Sequence, residues 1–288
     1  MVYTGFADEA SNDLDDQIRA TKELEWHHIS LRTIGAQNIH ELDQEKFEDV
    51  VRALEASKIV VSEFGTLIGN WSKSIYSSWK ETEEEIKRCI PRMHRLGVDY
   101  ARVMSYAQET WGEDQRRKER YKRTKEIVRL FKEEGLTALH ENCMNYGGFS
   151  ASHTLELLNE APDLKLVFDT GNPIFQKDRS KTPPYPWQST WEFYEQVKEA
   201  VVHFHIKDAV MEEDEVSYRY PGEGVGDVKR IIEDLINENY EGYLAIEPHM
   251  GKVFHDEFSD DNVQYQMSNY VEYGQKLSTL VEGVKSNL

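Results

Sequence analysis

Short runs of apolar, β-branched or aromatic residues alternate along this chain with longer stretches whose apolar positions recur at helical spacing. The runs are VYTGF at 2–6, HISLR at 28–32, KIVVSEF at 58–64, DYARVM at 99–104, LTALHE at 136–141, LKLVFD at 164–169, AVVHFHI at 200–206 and GYLAIE at 242–247. Their length and side-chain type predict eight strands. Residues 12–25, 43–57, 79–96, 114–134, 151–160, 189–199, 227–238 and 262–283 read as amphipathic helices. Asn12 or Asp13, Ser150 and Asp227 stand where N-caps belong, and Gly97 and Gly135 stand where a helix turns into the next strand.

Alternating strands and helices imply a parallel sheet with right-handed crossovers. Eight repeats predict an α/β fold, a single (β/α)8 TIM barrel, as one domain over residues 1–288. The competing doubly wound sheet needs fewer strands and a glycine-rich phosphate loop after the first; ADEASND is acidic there and lacks the pattern. The least regular stretches are 104–113, 171–188 and 208–224, expected as long loops on the active-site side.

Composition narrows the chemistry. Acidic residues number 53 against 34 basic ones, a formal charge of −19, which repels phosphate backbones and argues against nucleic acid as a partner. Cys89 and Cys143 are too few for a disulfide framework and fit a reducing compartment. The N-terminus lacks the basic start and apolar core of a signal peptide, and no apolar run is long enough to span a membrane. A cytoplasmic protein is expected.

Side chains at the C-terminal ends of barrel strands converge on one mouth. The predicted strands five to eight end on Glu141 (LHEN), Asp169 (VFDTGN), His205 (HFHIKD) and Glu247 (AIEPH). The intervals between them are 28, 36 and 42 residues, compatible with one ligand per successive βα unit of roughly 30 residues. Three carboxylates brought together repel strongly without a cation. With one imidazole they suit a single hard or borderline divalent ion: Mn, Mg, Co or Zn.

These residues carry a family resemblance. GFADEASNDLDDQI, LHEN, VFDTGNP, HFHIKDA, YPGEGVGDV and AIEPHM, in this order, resemble the xylose isomerase-like TIM barrels, the superfamily of sugar phosphate isomerases and epimerases and of AP endonuclease 2. The resemblance covers nearly the whole chain. It implies a metal on Glu141, Asp169, His205 and Glu247, with His205 rather than His203 as the imidazole ligand. The chain departs from the pattern elsewhere. Ketohexose 3-epimerases carry a His where this chain has Asn172, an Arg at Met211 and a substrate-binding Glu at Gly147; the DNA-repair members carry further ligands where Tyr218 and Tyr220 stand.

A dication chelating two oxygens of an α-hydroxy ketone or aldehyde acidifies the neighbouring C–H and stabilises the enediolate. The resemblance implies Glu141 and Glu247 as the carboxylates that take and return the proton. The expected activity is a metal-dependent isomerase or epimerase of a sugar, keto-sugar or inositol derivative. A lyase, dehydrating a keto-inositol or cleaving a 3-keto-glycoside, shares the first step; a non-catalytic binding subunit is the third alternative. Glu9, Arg32, Glu63, Asn142, Asn172, Lys207 and His249 are expected to bind substrate. Arg102, His140, His203 and Glu223 are weighed as structural, and one of Trp71, Trp79, Trp111 and Trp187 as a stacking surface. A homo-oligomer is a further expectation.

Overall fold

The structure, a computed structural model, describes residues 1–250 and then, from 260 for the backbone and 264 for the side chains, through 287. Eight strands run parallel: β1 (Val2–Gly5), β2 (His28–Leu31), β3 (Val60–Gly65), β4 (Tyr100–Val103), β5 (Thr137–Glu141), β6 (Lys165–Asp169), β7 (Val201–Ile206) and β8 (Tyr243–Ile246). Each pairs with its sequence neighbour from β2 to β8, and β8 pairs with β1. Between β1 and β2 a single bridge, Phe6 to Ser30, brings the ends together, so the barrel is nearly closed. The predicted (β/α)8 barrel is the observed fold.

Eight α-helices follow the strands: α1 (Leu14–Glu23), α2 (Gln44–Ser57), α3 (Trp79–Leu96), α4 (Arg117–Glu133), α5 (Ala151–Glu160), α6 (Thr190–Val197), α7 (Val228–Asn237) and α8 (Asp260–Lys285). Their apolar faces, such as Phe47, Val50, Val51 and Leu54 of α2, bury against the outer side of the sheet. Burial of this kind contributes about 25 cal/mol per Å² of apolar surface. Asp13 and Ser150 cap α1 and α5 through their side chains, as expected. Asp227 does not cap α7: its backbone is left-handed, φ 52°, and its carboxylate accepts no capping bond. Gly97 and Gly135 adopt φ 66° and 72°, the conformation that lets each helix stop and the chain re-enter the sheet.

Two expected boundaries shift. Helix α4 begins at Arg117 rather than 114, and the stretch 208–224 is not simply a loop. Residues Asp208–Glu212 and Glu215–Arg219 form an antiparallel hairpin, turning on Glu213 and Asp214 at φ 50° and 71°. Acidic residues at that turn hid it, because Asn-Gly or Asp-Gly is the usual signature. No helix among the described residues is long and apolar enough to cross a membrane.

The barrel interior is layered. At its base, Tyr243 packs on His203 with ring centroids 5.4 Å apart, and Tyr100 closes against both. Above lie the hydroxyls of Thr4, Ser30 and Ser62, joined at 2.9 Å (Thr4–Ser62) and 3.0 Å (Ser30–Ser62). The top layer is charged.

Candidate metal centre and active site

Glu141 ends β5, Asp169 ends β6, His205 sits one residue before the end of β7, and Glu247 follows β8. Parallel neighbouring strands in register bring these positions to one level: Asp169 pairs with His205, and His205 with Ala245. Each of the four residues offers a ligand atom, and these atoms lie within 4.8 Å of one another. All four side chains are buried.

His205 shows how the site is oriented. Its Nδ1 faces the other acids, 3.3 Å from Glu141 and 4.0 Å from Glu247, while its Nε2 lies 3.0 Å from Glu63. Glu63, a residue expected to bind substrate, sits behind His205, fully buried, also accepting a bond from Ser30 Oγ at 3.0 Å. The register of β2 against β3 slips here, so that Ser30 pairs with Glu63 and Ser62 is the extra residue. Such a bulge re-aims a side chain. Burial alone raises the Glu63 carboxyl, but His203 and His205 outweigh it and bring it down to about 2. His205 moves the other way: burial lowers it, yet Glu63 and Glu141 push it up to about 10.

Three fixed cations frame the acids. Arg32, just past β2, holds Asp8 at 2.8 Å, Glu9 at 3.1 Å and Glu247 at 2.5 Å. Arg102 of β4 lies 3.2 Å from Glu141 and donates to Thr66 O at 3.0 Å. Lys207 lies 2.9 Å from Asp169 and 3.1 Å from Glu247. Burial disfavours ionised Glu141 and Glu247, but these partners reverse it, and both are held below the ordinary carboxylate range. Asp169, where burial and the repulsion of Glu247 and Glu141 outweigh Lys207 and His205, is pushed up to about 6. Its Oδ1 accepts the backbone N–H groups of Gly171 (2.8 Å) and Asn172 (2.7 Å); its Oδ2 accepts no hydrogen bond among the described residues.

The donor set fits a divalent ion. Five carboxylates, Asp8, Glu9, Glu141, Asp169 and Glu247, face three permanent cations, and a sixth, Glu63, faces His205. Asp169 Oδ2, ion-paired with Lys207 at 2.9 Å but accepting no hydrogen bond, belongs to the cluster, and an imidazole presents one nitrogen to it while its other faces a carboxylate, the arrangement that orients a metal-bound histidine.

The remaining expected site residues fall into two groups. Asn172 reaches Glu141 Oε1 at 3.3 Å, and His249 lies 2.8 Å from Glu9 and 3.3 Å from the Lys207 ammonium, so both border the cluster, as do Glu9, Arg32 and Lys207. Asn142 does not: its amide donates to Asp169 O (2.9 Å) and accepts from Asp169 N (2.7 Å), clamping the backbone of a candidate ligand. His140 turns away, between Ser105 (3.1 Å) and Asn145 (3.0 Å), and burial brings it down to about 4. His203 lies one layer deeper, 3.4 Å from Glu63. Glu223 is exposed and pairs with Lys276 at 3.2 Å. Trp111 packs edge-on against Phe149 at 5.1 Å and Tyr185 at 5.7 Å, Trp79 packs against the core, and Trp71 and Trp187 are exposed.

Two acids escaped the sequence reading. Asp8 forks onto Arg32, its Oδ1 and Oδ2 at 3.0 and 2.8 Å. Asp208 accepts the backbone N–H groups of Gly222 (2.9 Å), Gly224 (3.0 Å) and Gly226 (2.9 Å). The alternate glycines of PGEGVGD were the signal, since glycines bring bare backbone close to an anion.

Solved structures of the same architecture are distant in sequence. An IolI protein with a bound zinc atom aligns over 98% of this chain and 99% of its own, with 15% identity and a TM-score of 0.73. A D-tagatose 3-epimerase-like protein aligns over 100% and 99%, with 14% identity and 0.71. The probable 3-DHS dehydratase AsbF from Bacillus anthracis aligns over 93% and 98%, with 17% identity and 0.67. These likenesses show the fold. No curated protein is significantly similar in sequence. The family model for the xylose isomerase-like TIM barrel, however, matches residues 18–267, and the chain therefore belongs to that family.

Proposed function

We propose that the mouth of this barrel holds one divalent ion on Glu141, Asp169, His205 and Glu247 and that Glu141 and Glu247 move a proton on a sugar, keto-sugar or inositol derivative, as an isomerase or epimerase does. The observation that carries this reading is the convergence of those four ligand atoms within 4.8 Å in a buried, cation-framed cluster. A divalent ion held there supplies a Lewis acid for the substrate carbonyl.

The chain's own residues supply the rest. Arg102 keeps Glu141, and Arg32 and Lys207 keep Glu247, in the carboxylate form that can accept a proton. One carboxylate takes the proton from the carbon beside the carbonyl, and the electron pair of that C–H bond moves into the carbonyl. Return of a proton to the opposite face inverts the carbon once the second carboxyl has itself taken a proton from solvent; return to the former carbonyl carbon, with the hydroxyl proton passing from one oxygen to the other, gives the isomer. Asn172, Lys207 and His249 border the cluster as donors for substrate oxygens.

A second reading, a lyase of the same pocket, is favoured by one local feature. Where ketohexose 3-epimerases carry a substrate-binding Glu, a β-carbon on Gly147 would stand 2.3 Å from the His140 ring, which leaves no room for a side chain. The D-tagatose 3-epimerase-like and dehydratase neighbours lend support to one reading each.

Incubating manganese-loaded protein with keto-sugars and inososes in deuterium oxide tests both. Deuterium entering recovered substrate or its epimer supports proton transfer, and a new ultraviolet-absorbing enone supports the lyase. Glu141→Gln and Glu247→Gln should each abolish exchange; exchange that survives both substitutions would rule out the carboxylate shuttle.

A further inference from the structure

The Lys207 ammonium lies where the two outer carboxylates of the cluster converge, 2.9 Å from Asp169 Oδ2 and 3.1 Å from Glu247 Oε2. Both are proposed ligands, one on each side of β7, the strand that Lys207 directly follows. Contact with Asp169 Oδ2 is close, yet that oxygen accepts no hydrogen bond, so the ammonium is held there by charge and not by a directed bond. A dication bound by the same two oxygens and an ammonium touching them would repel each other strongly in this dry surrounding.

The surroundings let one cation yield to the other. The Lys207 backbone is fixed: its N–H donates to Thr170 Oγ1 at 3.0 Å, and its carbonyl accepts from the same hydroxyl at 2.6 Å. Its aliphatic stem runs over Gly171, where a β-carbon would stand 2.6 Å from Lys207 Cγ, so the missing side chain makes the passage for it. Beyond the carboxylates, His249 Nε2 lies 3.3 Å from the ammonium, and Tyr218 stands edge-on to His249 at 5.2 Å. Only the side chain need turn, and polar groups await it on the mouth side.

We infer that Lys207 is a built-in counter-cation: without a divalent ion its ammonium holds Asp169 and Glu247 together, and binding of the ion turns it out toward His249 and Tyr218, where it faces substrate. This rests on the four-ligand reading above. It makes Lys207 a positioning residue for the ligands and couples metal loading to delivery of a hydrogen-bond donor at the mouth.

The test compares wild type with Lys207→Met by calorimetric titration with manganese and by thermal melting with and without it. The variant should melt lower than wild type when metal-free, because two buried carboxylates lose their partner, and should bind manganese at least tenfold more tightly. Its melting temperature should rise further on loading than that of wild type. Equal or weaker affinity in the variant overturns this inference alone; no binding by either protein overturns the four-ligand reading and this inference with it. Should the variant not fold, a crystal of wild type grown with manganese decides: Lys207 Nζ out of hydrogen-bond reach of Asp169 and Glu247 upholds the exchange, and an ammonium still seated on them overturns it.

Discussion

Glu63 and Asn142 lie behind the cluster and set how two of its members present themselves. The Glu63 carboxylate, 3.0 Å from His205 Nε2, would keep the Nε2 proton when the imidazole gives up its other proton to an ion, leaving the Nδ1 lone pair for that ion between Glu141 and Glu247. Glu63→Gln should therefore weaken manganese binding by about 10- to 100-fold, the usual effect of removing such a partner, as read by calorimetric titration. Asn142 clamps the main chain of Asp169 by two bonds. Asn142→Ala should cost about 2 kcal/mol of stability, each bond contributing ~1 kcal/mol, measured by urea denaturation. Both residues were legible as polar groups at strand ends, but their direction was not. Strand alternation cannot reveal the extra residue Ser62 that re-aims Glu63, nor that an asparagine beside Glu141 reaches across to the next strand. That Glu141, Asp169, His205 and Glu247 converge was legible because their position depends only on where apolar runs stop.

At the scale of elements, Asp208 organises the loop before α7. Three glycine N–H groups close on its carboxylate, and Gly226 also stands against Thr170 O, where a β-carbon would lie 2.9 Å away. Hydrogen bonds to an ionised acceptor contribute about 1.5–3 kcal/mol each, so Asp208→Ala should destabilise the protein by several kcal/mol and make the 221–227 segment the first site of cleavage in limited proteolysis. Unchanged cleavage would show that the loop is held some other way. The opposite case is Gly147, packed against a His140 ring that Ser105 and Asn145 lock in place. These loop elements were the least legible part of the chain. Periodicity finds strands and helices, whereas a glycine loop wound on a distant carboxylate and a hairpin turning on Glu213 and Asp214 leave no periodic trace.

Across the whole molecule, eight βα units were countable from the alternation of patterns, and barrel closure followed from the count; the single bridge between β1 and β2 depended on three-dimensional twist and was not. The chain also buries a histidine it keeps neutral. His40 is inaccessible, and burial together with Lys73, Arg88, Arg92 and Arg102 brings it down to about 3; Glu41 and Glu85 are the acids nearest it. The unfolded chain takes up a proton there near the ordinary histidine value while the fold excludes it, so stability is retained above about pH 6.5 and falls as pH drops toward about 3. In His40→Leu the decline between these limits should be shallower, judged against the variant's own stability at neutral pH. An unchanged slope would assign acid sensitivity to other groups.

Anomalous diffraction from a crystal grown with manganese tests the account at its centre. A single strong peak bonded to Glu141, Asp169, His205 Nδ1 and Glu247 is the predicted result. A map without a peak there, at saturating manganese, or with the ion held by other side chains, would contradict it.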